Sequence, residues 1–246
     1  MNTRIGKVSA LLGLGALLLV SASPAFAVDP SILFWADNGL RQVIEVPLEL
    51  GPDGLWRLDN WEYSTRDFSV RVHDVRFDPS RSVAYGIAAT AQNGPENFSF
   101  TFQGPISIEP NVPNTVTASI VGGLTDFTGD GVSFTPTAGP KVQRSYLYNP
   151  YTGMGVDVGD AYSHGPGTPG ALYAYNPGLA GPIPGPVGAW TDMELNLDFQ
   201  LSGNGDIAAM TGYARIDPIP EPATAALLGL GLAVAGLIQH RRRRAH

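Results

Sequence analysis

The middle of the chain alternates between apolar and polar residues. Over residues 192–202 an apolar residue occupies every second position, and the residues between them are acidic or polar. Successive side chains of a β-strand point to opposite faces, so this period of two predicts a strand with one buried face. The side chains expected to be buried are Met193, Leu195, Leu197, Phe199 and Leu201.

Nine further segments show the same alternation or form short apolar runs between turn residues. They cover residues 33–36, 42–48, 68–72, 75–77, 83–91, 98–102, 115–121, 131–135 and 207–216. Between residues 72 and 75 the apolar phase slips by one position, which predicts a β-bulge at His73 and Asp74. Many short strands without a convincing amphipathic helix indicate an all-β fold, an antiparallel β-sandwich or jelly-roll-like arrangement.

Two glycine-rich stretches join these strands. Residues 203–206 read Gly-Asn-Gly-Asp and separate two strand-like runs, which predicts a hairpin close to the end of the domain. Residues 150–188 contain 10 glycines and 7 prolines, a density that disfavours regular strands and helices. We therefore predict a long surface loop over residues 150–188, and loops of this length are functional or mobile.

The last 29 residues, 218–246, combine three features in a fixed order. Pro220, Glu221 and Pro222 come first, an uncharged apolar run over residues 223–238 follows, and four arginines, Arg241, Arg242, Arg243 and Arg244, come near the end. A helix of residues 223–238 would be roughly 24 Å long, short for a hydrocarbon layer of roughly 30 Å. Bilayer thinning and arginines that reach the headgroups absorb such a mismatch. The segment predicts a transmembrane helix, since the alternative, a buried helix of the domain, would place the arginines beside a core.

The N-terminal residues have the pattern of an export signal. Arg4 and Lys7 precede an apolar run over residues 8–20, and Ala25 and Ala27 supply the small residues that signal peptidase accepts. Residues 1–27 are therefore predicted to be a removed signal peptide. With both basic clusters on the cytoplasmic side, residues 28–217 form a domain exported across the inner membrane.

The C-terminal pattern resembles the PEP-CTERM sorting signal of exported bacterial proteins. Pro220, Glu221 and Pro222, the apolar span and the arginine cluster stand in the order and spacing of that family. The resemblance implies that an exosortase, a transpeptidase-like membrane enzyme, recognises Glu221 and cuts near it, in organisms that make extracellular polysaccharide. A looser resemblance, over residues 78–85, 98–102 and 119–136, is to β-rich exported proteins of the same group, and it implies no catalytic residue.

Composition narrows the class of partner. Residues 28–240 contain 9 basic and 22 acidic residues, a formal charge of −13. Nucleic acid is therefore not an expected partner, because phosphate binding needs a basic patch. The chain has no cysteine, which excludes disulfides, thiolate metal sites and cysteine nucleophiles.

The sequence lacks the motifs of acyl-transfer and phosphoryl-transfer enzymes. His73 and His164 are 91 positions apart, and Lys141 is the only lysine after the predicted signal peptide. No nucleophile elbow or phosphate-binding glycine loop with its lysine occurs. We expect no enzyme activity and no cofactor. A glycosidase needs only two carboxylates that face each other, so glycosidase activity stays open as an alternative.

Two groups of residues are candidates for binding. Asp126 and Asp130 flank a glycine-containing turn, and Asn204 and Asp206 lie on another turn. Oxygen ligands on turns suit calcium, so both turns are candidate calcium sites. The simpler interpretation is that these side chains hydrogen-bond to the backbone of their own turns, without a metal. Six of the nine tyrosines lie between residues 146 and 175, and their rings would either stack on sugars or anchor the predicted loop. These six are Tyr146, Tyr148, Tyr151, Tyr162, Tyr173 and Tyr175.

The sequence thus predicts a non-catalytic exported protein that acts as a structural or adhesive module of the cell envelope or extracellular matrix. The expected partners are signal peptidase, the export machinery, the membrane through the C-terminal segment, and the exosortase. Binding of exopolysaccharide is the alternative, and an enzyme of glycan turnover is the third choice. The expected location is the inner membrane at first, then the envelope or the exterior.

Overall fold

A computed structural model describes residues 29–36, 43–106, 108, 112–148, 153–185, 190–219 and 230. Sixteen strands lie in these residues. They are β1 (Ser31–Ala36), β2 (Ile44–Pro47), β3 (Glu49–Leu50), β4 (Trp56–Ser64), β5 (Phe68–Asp78), β6 (Ser82–Ala91), β7 (Glu96–Pro105), β8 (Asn114–Asp126), β9 (Val132–Pro136), β10 (Gln143–Tyr148), β11 (Gly153–Val158), β12 (Tyr162–His164), β13 (Ala171–Tyr175), β14 (Leu179–Pro184), β15 (Asp192–Leu201) and β16 (Asp206–Pro218).

The strands form two antiparallel sheets of eight strands each. The first sheet has the order β11-β10-β15-β7-β1-β2, with β9 pairing to β15 and β12 to β9. The second has the order β13-β8-β16-β6-β5-β4-β3, with β14 also pairing to β8. The prediction of an all-β, antiparallel fold is therefore confirmed.

Aromatic rings fill the space between the two sheets. Phe34 on β1 lies 6.0 Å from Phe68 on β5, and Phe68 lies 5.7 Å from Phe98 on β7. Tyr85 on β6 stacks on Phe102 of β7 at 4.8 Å. Each of these pairs joins strands of different sheets, so the sheets pack face to face as a sandwich with a continuous apolar core.

A buried polar contact also joins the sheets. The Tyr85 hydroxyl donates to Oε1 of Gln143 on β10 at 2.7 Å, and Nε2 of Gln143 donates to the carbonyl oxygen of Tyr213 at 3.1 Å. Gly212 makes room, because a Cβ there would lie 2.4 Å from the Tyr85 hydroxyl oxygen. Burial raises the pKa of Tyr85 well above its usual value, so the hydroxyl remains a donor.

The predicted register of β15 is confirmed. Met193 is 2% exposed, and Leu195, Leu197, Phe199 and Leu201 are fully buried. A slip of one residue would instead have pointed the acidic and amide side chains of the strand into the core. The predicted bulge is also confirmed, since the pairing of β5 with β6 shifts between His73 and Arg76, and Asp74 has a φ of 54°.

The predicted hairpin at residues 203–206 is wrong. Its two strands lie in different sheets: β15 pairs with β7, β9 and β10, and β16 pairs with β6 and β8. The connection turns tightly through Asn204 and Gly205, with φ of 63° and 88°. Alternation identifies the buried face of a strand but not the strand with which it pairs. Here β15 and β16 both turn an apolar face to the core, although they belong to different sheets.

The long loop predicted over residues 150–188 is also wrong, because β11, β12, β13 and β14 lie within it. Its glycines include positions where strands approach closely: a Cβ on Gly155 would lie 1.8 Å from the carbonyl oxygen of Ser145. Pro182 and Pro184 lie in β14, which pairs with β8 alone. Proline is tolerated there because an edge strand leaves part of its N–H groups unpaired.

Several sequence predictions fall on residues outside the described ranges. They are the signal peptide over residues 1–27 with Ala25 and Ala27, Tyr151, and the C-terminal residues from Pro220 onward apart from Leu230. Among the residues that the structure does describe, no helix has the length and apolarity that a membrane crossing requires.

Candidate functional site

Two of the predicted tyrosines lie together on the outer surface of the first sheet. We call the outward side chains of β7, β10 and β15 the tyrosine face. It consists of Ser99, Thr101, Gln103, Arg144, Tyr146, Tyr148, Asp192, Glu194, Asn196 and Asp198. The rings of Tyr146 and Tyr148 are 6.0 Å apart. Alternation along β10 places them on one side, as for any residues two positions apart in a strand.

A hydrogen-bonded network holds the centre of the tyrosine face. The Asp198 carboxylate, 7% exposed, accepts 2.6 Å bonds from Nη2 of Arg144 and Oγ of Ser99. Burial alone would lower the pKa of Arg144, but the hydrogen bond and charge of Asp198 outweigh it and raise the pKa. Asn196 accepts from Thr101 at 2.6 Å and donates to Glu194. These bonds fix the orientations of the polar side chains at the centre of the face.

A cleft of about 270 Å³ lies at one end of the tyrosine face. Tyr148, Gln103, Glu194, Asp192 and Asp29 contribute to its lining. Burial raises the pKa of Tyr148, and the nearby Glu194 carboxylate adds to the shift. The cleft thus offers an aromatic ring, a neutral phenol hydroxyl and acceptor oxygens, groups that contact neutral or hydroxylated ligands.

The other predicted tyrosines lie elsewhere and pack against the protein. Tyr175 is 3% exposed, and its hydroxyl donates to the carbonyl oxygen of Asp160 at 2.8 Å. Tyr162 meets Tyr175 edge to face, and Tyr173 stacks on His164 at 3.9 Å. These three rings fix β12 and β13 to the sandwich, as the anchoring interpretation expects, whereas Tyr146 and Tyr148 face outward.

The two predicted calcium candidates come together with a third carboxylate. Asp126 and Asp206 are fully buried and Asp130 is exposed, and each offers an oxygen within 4.8 Å of the others. We call Asp126, Asp130 and Asp206 the carboxylate cluster. The sequence singled out both turns but could not place them together, because they are about 75 residues apart. Only the pairing of β8 with β16 and of β9 with β15 brings them side by side.

Each oxygen of the carboxylate cluster already accepts a hydrogen bond. The Asp126 oxygens accept from the backbone N–H groups of Gly129 and Gly131, at 2.6 and 3.0 Å. Those of Asp206 accept from the Phe127 N–H at 3.1 Å and the Ser202 hydroxyl at 2.6 Å. The Asp130 oxygens accept from Thr128 and Asn204. These hydrogen bonds therefore join the β8–β9 turn to the β15–β16 turn.

Through Asp206, the effect of the carboxylate cluster on the stability of the fold depends on pH. Burial raises its pKa above the usual 3.8, and the charges of Asp126 and Asp130 add to the rise. A raised pKa in the folded state means that Asp206 destabilises the fold when ionised. This destabilisation is absent below the pKa that Asp206 has in the unfolded state. It grows as the pH rises through the pKa that Asp206 has in the folded state.

We expect Asp206→Asn to preserve both hydrogen bonds and remove the like charge. The amide oxygen accepts from Phe127, and the amide nitrogen donates to Ser202. The variant should melt no lower than the wild type at pH 7, and its advantage should shrink as the pH falls toward 3.8. Thermal denaturation between pH 4 and pH 7, with and without chelator, measures this. A lower melting temperature at pH 7, or a loss of stability of the wild type with chelator, would favour a bound cation instead.

The two histidines of the exported domain lie outside both sites. The His73 ring covers Gly86, where a Cβ would lie 2.4 Å from ring carbon Cε1, and Nδ1 lies 2.8 Å from Asp74. Nδ1 of His164 lies 2.8 Å from the carbonyl oxygen of Gly165. In the described part of the chain, neither histidine belongs to the one group of three potential metal ligands, the carboxylate cluster.

The folded domain leads directly into the C-terminal pattern. Strand β16 ends at Pro218, and the Ile219 N–H donates to the carbonyl oxygen of Pro113 at 2.7 Å. Pro220 follows and, having no N–H, cannot extend the strand pairing. In the sequence, the Pro-Glu-Pro residues directly follow Ile219, whose N–H makes this contact.

Comparison with known proteins identifies this C-terminal segment. No curated protein matches the chain. The family model of the PEP-CTERM protein-sorting motif matches residues 218–244, the span that holds Pro220, Glu221, Pro222 and the arginines Arg241, Arg242, Arg243 and Arg244. The chain therefore carries a PEP-CTERM sorting signal and is an exported substrate of an exosortase.

Proposed function

We propose that the protein is a non-catalytic structural or adhesive module of the cell envelope or extracellular matrix. The observation that carries the proposal is the direct junction of the β-sandwich with a PEP-CTERM signal: β16 ends at Pro218, the residue at which the match over residues 218–244 begins. Cleavage near Glu221 would release the sandwich without cutting a strand. A module that is exported, held briefly and then released serves outside the inner membrane.

The geometry of the ionisable groups supports a non-catalytic role. In the described ranges, the carboxylates of the carboxylate cluster and Asp198 accept hydrogen bonds at both oxygens. A general acid or base must instead present a free carboxyl group to its substrate. Both described histidines lie at the surface and pack against their own neighbours.

Replacing Glu221 by alanine tests the sorting role. The change removes the charged recognition group and leaves the apolar span over residues 223–238 intact. We expect the variant to stay in the membrane fraction, as should the wild type in a strain without exosortase, while the wild type is released. The matched control is Glu49→Ala, which removes an exposed carboxylate of β3 and should leave release unchanged. Release of Glu221→Ala at the wild-type level would contradict the proposal.

A second candidate function, exopolysaccharide binding, is favoured by the tyrosine face. Outward-facing aromatic rings beside fixed hydrogen-bonding groups suit the apolar faces and hydroxyls of sugars. Tyr146 and Tyr148 meet this description, and the cleft beside Tyr148 adds acceptor oxygens. A catalytic role in glycan turnover is the third candidate, and it would use two of the carboxylates that line this cleft, Asp29, Asp192 and Glu194.

Removal of the Tyr148 ring tests the second candidate. Tyr148→Ala should abolish retention of the protein on the host's extracellular polysaccharide in affinity electrophoresis, because stacking on the ring is lost. Tyr213→Ala is the matched control, since it removes the same side chain from the outer surface of the second sheet, where Tyr213 is 36% exposed. Equal retention of the wild type and Tyr148→Ala would exclude sugar binding through this face.

A further inference from the structure

The cleft at the end of the tyrosine face, which we call the Tyr148 cleft, is lined by acidic side chains. Asp29, which precedes β1, and Asp192 and Glu194 on β15 contribute three carboxylates. The other described lining residues carry no positive charge; they are Gln103, Gly104, Pro105, Tyr148 and Met193. A ligand in this cleft is therefore surrounded by negative charges and meets no cation of the described lining.

No cation in the described part of the chain forms an ion pair with these three carboxylates. The ion pairs there involve other acidic residues, among them Asp198, which binds Arg144 at 2.6 Å. Arg144 is the basic residue of the tyrosine face, and it also stands opposite Asp157 of β11. Its charge is balanced by Asp198 and Asp157, so the charges of the Tyr148 cleft remain.

The hydrogen bonds to the cleft carboxylates come from neutral groups. The Thr191 hydroxyl donates to Asp192 at 2.6 Å, and the Asn196 amide donates to Glu194. Such bonds orient the carboxylates but leave their negative charge in place. A ligand that brings a positive charge would therefore form charge-assisted hydrogen bonds here, which are shorter and stronger than bonds between neutral groups.

Aromatic rings stand next to the cleft carboxylates. The rings of Tyr146 and Tyr148 are 6.0 Å apart. Gly153 of β11 makes room for the Tyr148 ring, since a Cβ there would lie 2.8 Å from its Cε1 atom. Burial raises the pKa of Tyr148, and the charge of Glu194 adds to the rise, so the phenol stays neutral. The negative face of a neutral aromatic ring attracts cations. The site thus combines carboxylates and aromatic faces, two kinds of group that bind ammonium ions.

Charge and size together narrow the class of ligand. An anionic sugar chain would be repelled, because the cleft is acidic and residues 28–240 have a formal charge of −13. A neutral sugar would cover the carboxylates without bringing them a positive charge, which costs desolvation free energy. The cleft volume of about 270 Å³ is close to the lower end of the range for ligand sites, about 300–1,000 Å³. The cleft therefore takes one unit of a chain rather than a long segment.

We propose that the Tyr148 cleft binds a sugar unit with a protonated amino group, so that the ligand of the tyrosine face is a polysaccharide with free amines, such as one that contains glucosamine units. Asp192 and Glu194 accept hydrogen bonds from the ammonium group, and the Tyr148 ring lies against the sugar ring. The inference rests on the second candidate function, polysaccharide binding, and names the chemical class of its ligand. The structural or adhesive role does not depend on it.

Isothermal titration calorimetry of the processed protein, purified from exporting cells, tests the preference for an ammonium group. The two matched probes are a glucosamine tetramer and an N-acetylglucosamine tetramer, which differ only in whether the amines are free or acetylated. At about pH 5.5, where sugar amines are protonated, we expect the glucosamine tetramer to bind at least about tenfold more tightly. A tetramer of glucuronic acid should not bind, because its carboxylates would meet those of the cleft.

Glu194→Gln removes one charge from the Tyr148 cleft and keeps the shape of the side chain. It should weaken binding of the glucosamine tetramer by at least about tenfold and leave binding of the acetylated tetramer nearly unchanged. The matched control is Glu49→Gln, which removes the same charge from an exposed position on β3 of the second sheet. General attraction of a cation to an acidic protein would fall equally in both variants, so an equal loss would overturn the proposed site.

The remaining outcomes separate the inference from the function on which it rests. Equal affinity for the glucosamine and N-acetylglucosamine tetramers, or tight binding of the glucuronic acid tetramer, would overturn the inference but not sugar binding by the tyrosine face. A lysine tetrapeptide that binds as tightly as the glucosamine tetramer would also overturn it, since the cleft would then recognise ammonium groups without a sugar. If none of the sugars binds, the inference fails, and retention on the host's extracellular polysaccharide then decides whether the second candidate function fails with it.

Discussion

Replacing Phe199 by alanine should lower the free energy of unfolding by about 3–5 kcal/mol. Phe199 is fully buried, and its ring lies 4.6 Å from that of Phe134 and 5.3 Å from that of Phe98. The variant loses the transfer free energy of the ring and leaves a cavity that neighbouring aromatic rings cannot fill by small movements. Equilibrium unfolding in urea, compared at equal m-values, measures the change.

The neighbouring residue provides the control for Phe199. Gln200 points to the other side of β15, is partly exposed, and donates from its amide to Asn97 at 3.0 Å. Gln200→Ala should cost less than about 1 kcal/mol. If the two variants were equally destabilised, the register of β15 would be incorrect, and the assignment of its apolar residues to the core would fail.

The second large effect is expected at Asp126 in the carboxylate cluster. Asp126→Ala should lower the free energy of unfolding by about 2–4 kcal/mol, because the N–H groups of Gly129 and Gly131 lose a charged acceptor. Relief of the repulsion with Asp206 offsets part of the loss. Thermal or urea denaturation at pH 7 measures it.

The exposed member of the carboxylate cluster is the control for Asp126. Asp130→Ala removes the same group from a solvent-exposed position, where Thr128 and Asn204 can bond to water instead. It should leave stability nearly unchanged. A larger loss in Asp130→Ala than in Asp126→Ala would show that the cluster is not organised around the buried carboxylate.

Local pattern was sufficient to predict the class of fold and much of the strand content. The period of two identified the buried face of β15 correctly, and the phase slip after Val72 predicted the bulge in β5. Strand β4 was missed for a related reason. Its inward side chains shift phase between Leu58 and Trp61, opposite the bulge of β5, so no single alternation runs through it.

Pairing between distant strands could not be predicted from one sequence. The turn at Asn204 and Gly205 has the residues of a hairpin, yet the chain crosses there from one sheet to the other. In the same way, the glycines of residues 150–188 look like loop residues until the neighbouring strand is known. Position 155 must be glycine because the backbone of Ser145 on β10 lies where a side chain would be.

The candidate sites show the same limit. Composition singled out Asp126, Asp130, Asp206 and the tyrosines, but only the sheet order shows that the three carboxylates meet and that Tyr175 is in the core. The contact between Tyr85 and Gln143 has no sequence signal at all, since the two residues are 58 positions apart in different sheets. The sorting signal was predictable because its three parts are contiguous.

The intact mass of the mature protein, isolated from exosortase-positive cells, tests the central claim most directly. An exosortase substrate with the predicted signal peptide should begin at or near Val28 and end near Pro222, without Arg241, Arg242, Arg243 and Arg244. In the exosortase deletion strain the mass should increase by the C-terminal segment. Mature protein that still carries the four arginines in a strain with active exosortase would contradict processing and show that the C-terminal segment is a permanent anchor.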